Sequence, residues 1–232
     1  MLRKPDPSAL LRVWDLPTRL THGALVLMVA GALVTASVGA DWMDWHMRSG
    51  HGVAVLLLFR WVWGFVGGYW SRFTTLMVGP VQWVRYLRDG LPPTVGHNPL
   101  GALSVWGLWG LLTLMVLTGW VADDGVAYAG PWVHGVTASF SESTTHWHRH
   151  WGQGLLWGWI SLHLGAVIYH QHLRHEDLIG PMWHGDKVYA PKLAASVVPS
   201  VDNARQRVKA VGWFCLCLLG VVGLVSLGQA GG

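Results

Sequence analysis

Residues 146–172 read HWHRHWGQGLLWGWISLHLGAVIYHQH. The middle of this stretch is apolar enough to lie in lipid, yet the stretch carries six histidines. An imidazole in hydrocarbon is costly unless something binds it. Two questions follow: whether the surrounding chain builds a membrane bundle, and what the histidines hold inside it.

Composition answers the first. Of 232 residues, 52% are hydrophobic and only 12% charged, against roughly 25% charged in ordinary soluble domains. Seventeen tryptophans and 30 glycines suit a membrane bundle, where tryptophan sits at the water interface and glycine lets helices approach. The formal net charge is +4, but the basic residues cluster beside apolar segments, so no nucleic-acid partner is expected. Cys215 and Cys217 form a C-x-C within an apolar run and read as small buried residues. The absence of C-x-x-C-H from the sequence excludes covalent c-type haem attachment. Arg3, Lys4, Arg12 and Arg19 precede the first apolar stretch without a cleavage pattern, so that stretch is expected to be a retained span.

A helix needs about 20 mostly apolar residues to cross a bilayer. Five stretches qualify: 20–40, 50–68, 100–121, 149–171 and 210–228. Pro17 and the pair Asn98–Pro99 mark helix starts, and the sequence DDG at 123–125 ends the third span. Basic residues gather before span one, between spans two and three (Arg72, Arg85, Arg88) and between spans four and five. The opposite side carries Asp41, Asp44, Asp123, Asp124 and Glu142, with Arg48 and Arg149. Lys and Arg mark the cytoplasmic side, so the N-terminus is expected inside and the C-terminus outside. The expected organisation is a cytoplasmic segment at 1–19, a four-helix core at 20–172, a cytoplasmic linker at 173–209 with room for a short amphipathic helix, and a fifth transmembrane helix with an outer tail at 210–232.

Direction places each histidine by depth. His22 and His163 share the inner half; His51 shares the outer half with His148 or His150. Two pairs at two depths are what two bis-histidine haems stacked across a membrane require, since neutral imidazole ligates haem iron and the porphyrin fills apolar space between helices. Zinc prefers about four close ligands, which paired depths do not supply. At ~1.5 Å and ~100° per residue, His148 and His163 stand ~22 Å apart along the axis and ~60° around it. His150 and His163 stand ~20 Å and ~140° apart. Ligands for one bundle core should share a face, which favours His148, although a distorted first turn would present His150. The remaining histidines lie at interfaces or in loops, where packing and capping explain them. Arg60 sits inside span two and needs a partner for its charge, either a haem propionate or a path to the inner surface. Arg19 lies three residues before His22 and borders the same face. It is either a propionate ligand or an ordinary positive-inside charge. The fold class is therefore all-α: an integral membrane four-helix haem-binding bundle plus a C-terminal fifth transmembrane helix.

Six ordered pieces carry a resemblance: VWDLPTRLTH (13–22), HGVAVLLLFRWVWGFVG (51–67), VGPVQWVRYLRDG (78–90), GHNPLGALS (96–104), LTGWVADDG (117–125) and the long run from His146 to Lys187. Together they resemble the prokaryotic cytochrome b561 family, which includes the b-type cytochrome subunits of nickel–iron hydrogenases. The resemblance implies a four-helix core in a bacterial inner membrane, with two non-covalent b haems. It gives axial roles to His22, His51, His163 and one histidine at the start of span four. The family's usual spacing to His163 falls on Arg149, between His148 and His150, so the fourth ligand stays open. The resemblance also implies electron exchange between the quinone pool and a periplasmic redox partner such as a cytochrome c. A quinone would suit the inner edge near His97, Asn98, His170 and His172, and the acidic outer residues Asp123, Asp124 and Glu142 would dock a basic partner. Two alternatives are a superoxide:quinone oxidoreductase and, in another class, a histidine-dependent proton or metal transporter without haem.

Overall fold

The computed structural model describes residues 9–89, 95–189 and 191–231; Arg3 and Lys4 of the basic N-terminal segment lie outside them. The chain runs through strand β1 (Ala9–Arg12) and helices α1 (Leu16–Val38), α2 (Met43–Val66), the single turn α3 (Phe73–Leu76), α4 (Pro80–Asp89), α5 (Pro99–Trp120), α6 (Ala138–His146) and α7 (Gln153–Ile168). It ends with α8 (Ile179–His184), β2 (Asp186–Tyr189), α9 (Pro191–Ser196) and α10 (Ala204–Ala230). Among the described residues the regular structure is helical apart from one two-stranded sheet. Among them four helices can cross a membrane by length and composition: α1, α10, α5, and α2 with the short turn before it. Half of the apolar stretch of α2 is buried, against 11% for α1 and 17% for α5 and for α10. The second helix is thus the enclosed one, and the others turn an apolar face outward, as lipid requires.

Three differences from the sequence expectation have physical reasons. First, α2 begins two turns before residue 50, so His46 and Arg48 are helical; Asp44 in its first turn complements the helix dipole. Second, the fourth stretch holds a regular α-helix only over α7. It widens into π-helical turns at both ends, Trp147–Gly152 and Tyr169–Leu173. Third, the segment expected as a linker at 173–209 is folded. It contributes α8, β2, α9 and the start of α10, where Asn203 Oδ1 accepts from Gln206 N at 2.9 Å and extends the last helix back through Arg205, Arg207 and Lys209.

The fold divides into two compact units. The first comprises residues 1–20, 62–103 and 164–210. Its sheet pairs β1 with β2 antiparallel, from Ala9 opposite Tyr189 to Arg12 opposite Asp186. Leu11, Val13, Trp14 and Tyr189 form its core, with Trp70, Val95 and Met182 packed against them. Arg12 spans Asp186 (2.7 Å) and Asp202 (3.0 Å), and Arg207 closes on Asp202 at 2.9 Å. Asp15 is fully buried and caps α1. Its carboxylate accepts from Thr18 N (2.9 Å), Trp63 Nε1 (3.1 Å), Gly68 N (2.9 Å) and Ser71 Oγ (3.1 Å). A buried carboxylate is tolerated because four donors replace its water.

The second unit comprises residues 21–61, 104–163 and 211–232. Ala54, Val55 and Val221 are its buried cluster, with Val116, Trp120 and Val225 around them. Phe59 meets Phe214 edge to face at 5.9 Å, so the C-terminal helix packs on α2 here. Gly107 lets α5 pass beneath the Trp159 ring, which any Cβ at that position would strike. Trp159 Nε1 donates to the Ser104 carbonyl at 3.2 Å and fixes α7 on α5.

Candidate functional site

Within the second unit, polar groups meet at two places. The first gathers His22 from α1, Arg60 from α2 and His163 from α7; His22 lies within electrostatic reach of both others. His163 Nδ1 stands 3.4 Å from Ser104 Oγ. Arg60 is buried, at 8% exposure, with its guanidinium 5.0 Å from the centre of the Trp109 ring. Trp109 in turn packs with Trp61 and Trp106, at mutual ring distances of 5.6–6.0 Å. Cation–π contact offsets part of the cost of a charge at this depth.

The second place gathers His148 with Thr118 and Gly119 from α5 and His46 from α2. Thr118 Oγ1 lies 3.0 Å from His148 Nδ1. A threonine hydroxyl has one proton, and Thr118 donates it to the Leu114 carbonyl at 2.7 Å, shared with Met115 at 3.1 Å. Toward His148 it therefore acts as acceptor, so Nδ1 carries the ring proton and Nε2 keeps a lone pair for a metal. Gly119 makes the seat possible: a Cβ there would stand 3.1 Å from His148 Cε1. His46 donates from Nδ1 to the Ala32 carbonyl at 2.9 Å, and its ring stands perpendicular to that of His148 at 6.1 Å. His51 is half-buried, with its ring 6.4 Å from Trp120.

The two histidines left open by the sequence differ here. His150 is exposed and lies beside the exposed His146, ring centres 4.7 Å apart. His148 is the one in contact with α5. His148 lies inside the π-helical turn Trp147–Gly152, most of which separates it from His163. A π turn absorbs one residue more than an α turn, which shifts His148 toward the angular position that an unbroken α-helix would give to residue 149. That register was not legible in the sequence. Nor were the roles of Thr118, Ser104 and His46 there, although Thr118 and Gly119 lie inside the quoted LTGWVADDG.

Arg19 is placed in the first unit, where it donates to the Trp183 carbonyl at 2.6 Å and stands 3.7 Å from Asp202; protein groups hold its charge there. In the same unit Asn98, His170, Glu176 and Lys187 form a chain. Asn98 Oδ1 accepts from Gly101 N at 2.7 Å, which turns its amide nitrogen toward His170 Nε2 at 3.5 Å. His170 Nδ1 meets Glu176 Oε2 at 3.0 Å, and Glu176 Oε1 pairs with Lys187 at 2.7 Å. Burial would raise the Glu176 carboxyl, but its bonds to Lys187 and His170 outweigh that and hold it below the usual range. His97 packs on Trp14 at 4.8 Å, and His172 is exposed. On the other acidic segment, Asp124 Oδ1 accepts from Val126 N, Ala127 N and Tyr128 N at 2.8–3.0 Å. The bonds from Tyr128, Val126 and Ala127 lower its pKa. Asp124 thus builds its own turn.

These arrangements constrain what the site can hold. Among the described residues no three His, Cys, Asp or Glu side chains converge as metal ligands. Pairs of imidazoles are what haem b needs, because the porphyrin supplies the other four donors. The donor chemistry fits: His148 presents a free Nε2, and a buried arginine accompanies the His22–His163 pair.

Comparison with known proteins points the same way. The sequence model of the prokaryotic cytochrome b561 family matches residues 13–185. A probable Ni/Fe-hydrogenase B-type cytochrome subunit of Bradyrhizobium diazoefficiens is 24% identical, over 76% of this chain and 85% of its own. A probable Ni/Fe-hydrogenase 1 B-type cytochrome subunit of Escherichia coli K12 is 25% identical, over 80% of this chain and 94% of its own. No solved structure matches the chain.

Proposed function

The chain belongs to the prokaryotic cytochrome b561 family, and from that premise we propose that it is a dihaem cytochrome of the bacterial inner membrane. It carries electrons between the quinone pool and a periplasmic redox protein. The observation that supports this best is the approach of His22 and His163 from different helices, with His148 of the same unit held in the ligand tautomer by Thr118.

In this reading His22 and His163 hold the inner haem, and His51 and His148 the outer one. Haem b held by these residues would supply a one-electron couple suited to electron transfer. The chain does the rest. Thr118 orients His148, Ser104 borders His163, and Arg60 sets a positive charge beside the inner pair for a propionate. Arg19 is held instead by the Trp183 carbonyl and Asp202. Helix α7 with its two π-helical ends completes a fifth crossing, and the basic residues of the first unit set the N-terminus on the cytoplasmic side.

At that side, quinone chemistry needs a proton donor near a polar–apolar boundary. Asn98, His170, Glu176 and Lys187 supply a bonded chain of such groups. The electron partner outside is a hydrogenase or a cytochrome c; the relatives named as hydrogenase subunits support the first.

Haem extracted and quantified per purified chain tests the proposal. Two b haems are expected, with His163→Ala losing the inner and His51→Ala the outer. A colourless protein made with ample haem supply would transfer the reading to a transporter. Full haem in both variants would overturn the ligand assignment. Reduction of the bound haem by a quinol analogue tests the quinone end.

A further inference from the structure

Helix α4 has no task in the electron path. It lies in the chain between two spans, α2 and α5, and belongs to the same unit as the ends of both, Val66 and Pro99. Buried Phe73 and Leu76 anchor the turn before it, and Gly79 N donates to Gln82 Oε1 at its start, at 3.3 Å. The helix is amphipathic. At ~100° per residue, Trp83, Pro80 and Val84 share an arc of ~100°. Arg88 and Arg85 follow on one edge of it, ~60° apart, with Val81 between them. Val81 and Val84 are 68% and 64% exposed, and Met77 just before them 72%. Pro80, Val81, Val84, Arg85 and Arg88 line a shallow groove of about 370 Å³. Trp83 and Tyr86, 6.1 Å apart edge to face, are the residue types that settle at a headgroup layer.

Exposed valines beside two arginines suit neither water nor bilayer interior alone. They suit the boundary, where an apolar stripe dips into acyl chains while cations meet headgroups. We propose that α4 is a binding site for an anionic phospholipid. The guanidinium groups of Arg85 and Arg88 take the headgroup, and Val81 and Val84 line the first acyl carbons. Charge decides the class: the segment between these two spans carries Arg72, Arg85 and Arg88 against the single carboxylate of Asp89.

The experiment is lipid binding by the purified full chain in mild detergent, followed by native mass spectrometry with added phosphatidylglycerol or phosphatidylcholine. The wild type should retain phosphatidylglycerol in preference, by about fivefold for each arginine. Arg85→Gln with Arg88→Gln should abolish the preference, and Arg85→Lys with Arg88→Lys should keep most of it. Arg205→Gln should leave it intact. A photoreactive phosphatidylglycerol should label wild-type residues 77–88, which tests the site even if the double variant fails to fold. Equal retention of the two lipids, an unchanged preference in the glutamine variant, or labelling confined to other segments would overturn the proposal. Displacement by millimolar inorganic phosphate would also overturn it, because the site would then be one for the free anion.

Discussion

Thr118→Val removes one oxygen and leaves the shape of the side chain. The hydroxyl is committed as donor to the Leu114 and Met115 carbonyls, so its bond to His148 Nδ1 at 3.0 Å is an accepted one. With His148 on iron through Nε2, that bond makes the imidazole a stronger electron donor and favours the ferric state. A bond of this kind is worth about 0.5–1.5 kcal/mol net. If all of it distinguishes the two oxidation states, at 59 mV per tenfold for one electron, the outer haem rises in potential by at most ~20–65 mV. The inner haem should not move, and Thr118→Ser should restore the original value. A redox titration read at the reduced α band resolves the two components. Equal movement of both haems, no movement, or a downward shift would refute the assignment of His148 and of its tautomer.

Other outcomes follow from the same geometry. Asp15→Asn keeps the size but sets an amide among four donors. It should cost about 2–4 kcal/mol and lower the thermal midpoint by roughly 5–15 °C, read by far-UV circular dichroism with haem content intact before melting. His46→Phe should leave two haems in place, with His51 the ligand on α2; loss of the outer haem would make His46 that ligand instead. Glu176 has a folded-state pKa below its ordinary value. Its contribution is therefore complete above the unfolded value near 4.3 and fades as pH falls through the lower folded value. Glu176→Gln should flatten the acid limb of the stability profile, and an unchanged limb would deny the carboxylate that role.

Hydropathy made four of the spans legible because lipid forces long apolar helices, and span order alone was enough to bring His22 and His163 to one level. What stayed hidden was non-local. Strand β1 is four residues long and finds its partner beyond residue 185, so no window of sequence contains the pairing. The early start of α2 escaped because Asp44, His46 and Arg48 look like loop, while a polar first turn costs a helix little. The π-helical turn left no compositional trace, yet it decides which histidine stands at the right angle. Thr118 was visible only as one more residue of an apolar span until its hydroxyl was seen facing an imidazole.

The antiparallel pairing of Ala9–Arg12 with Asp186–Tyr189, locked by Arg12 on Asp186 and Asp202, also sets an order of events during synthesis. Strand β1 leaves the ribosome before β2 and has nothing to pair with until that complement follows. At ~5–20 residues per second that wait lasts roughly 10–35 s, during which Leu11 and Val13 lack their cover. Only a nascent chain that has delivered its hydrophobic segments as far as Tyr189 can fasten β1, and one that stalls earlier presents an uncovered apolar strand to whatever surveys the membrane for unfinished work.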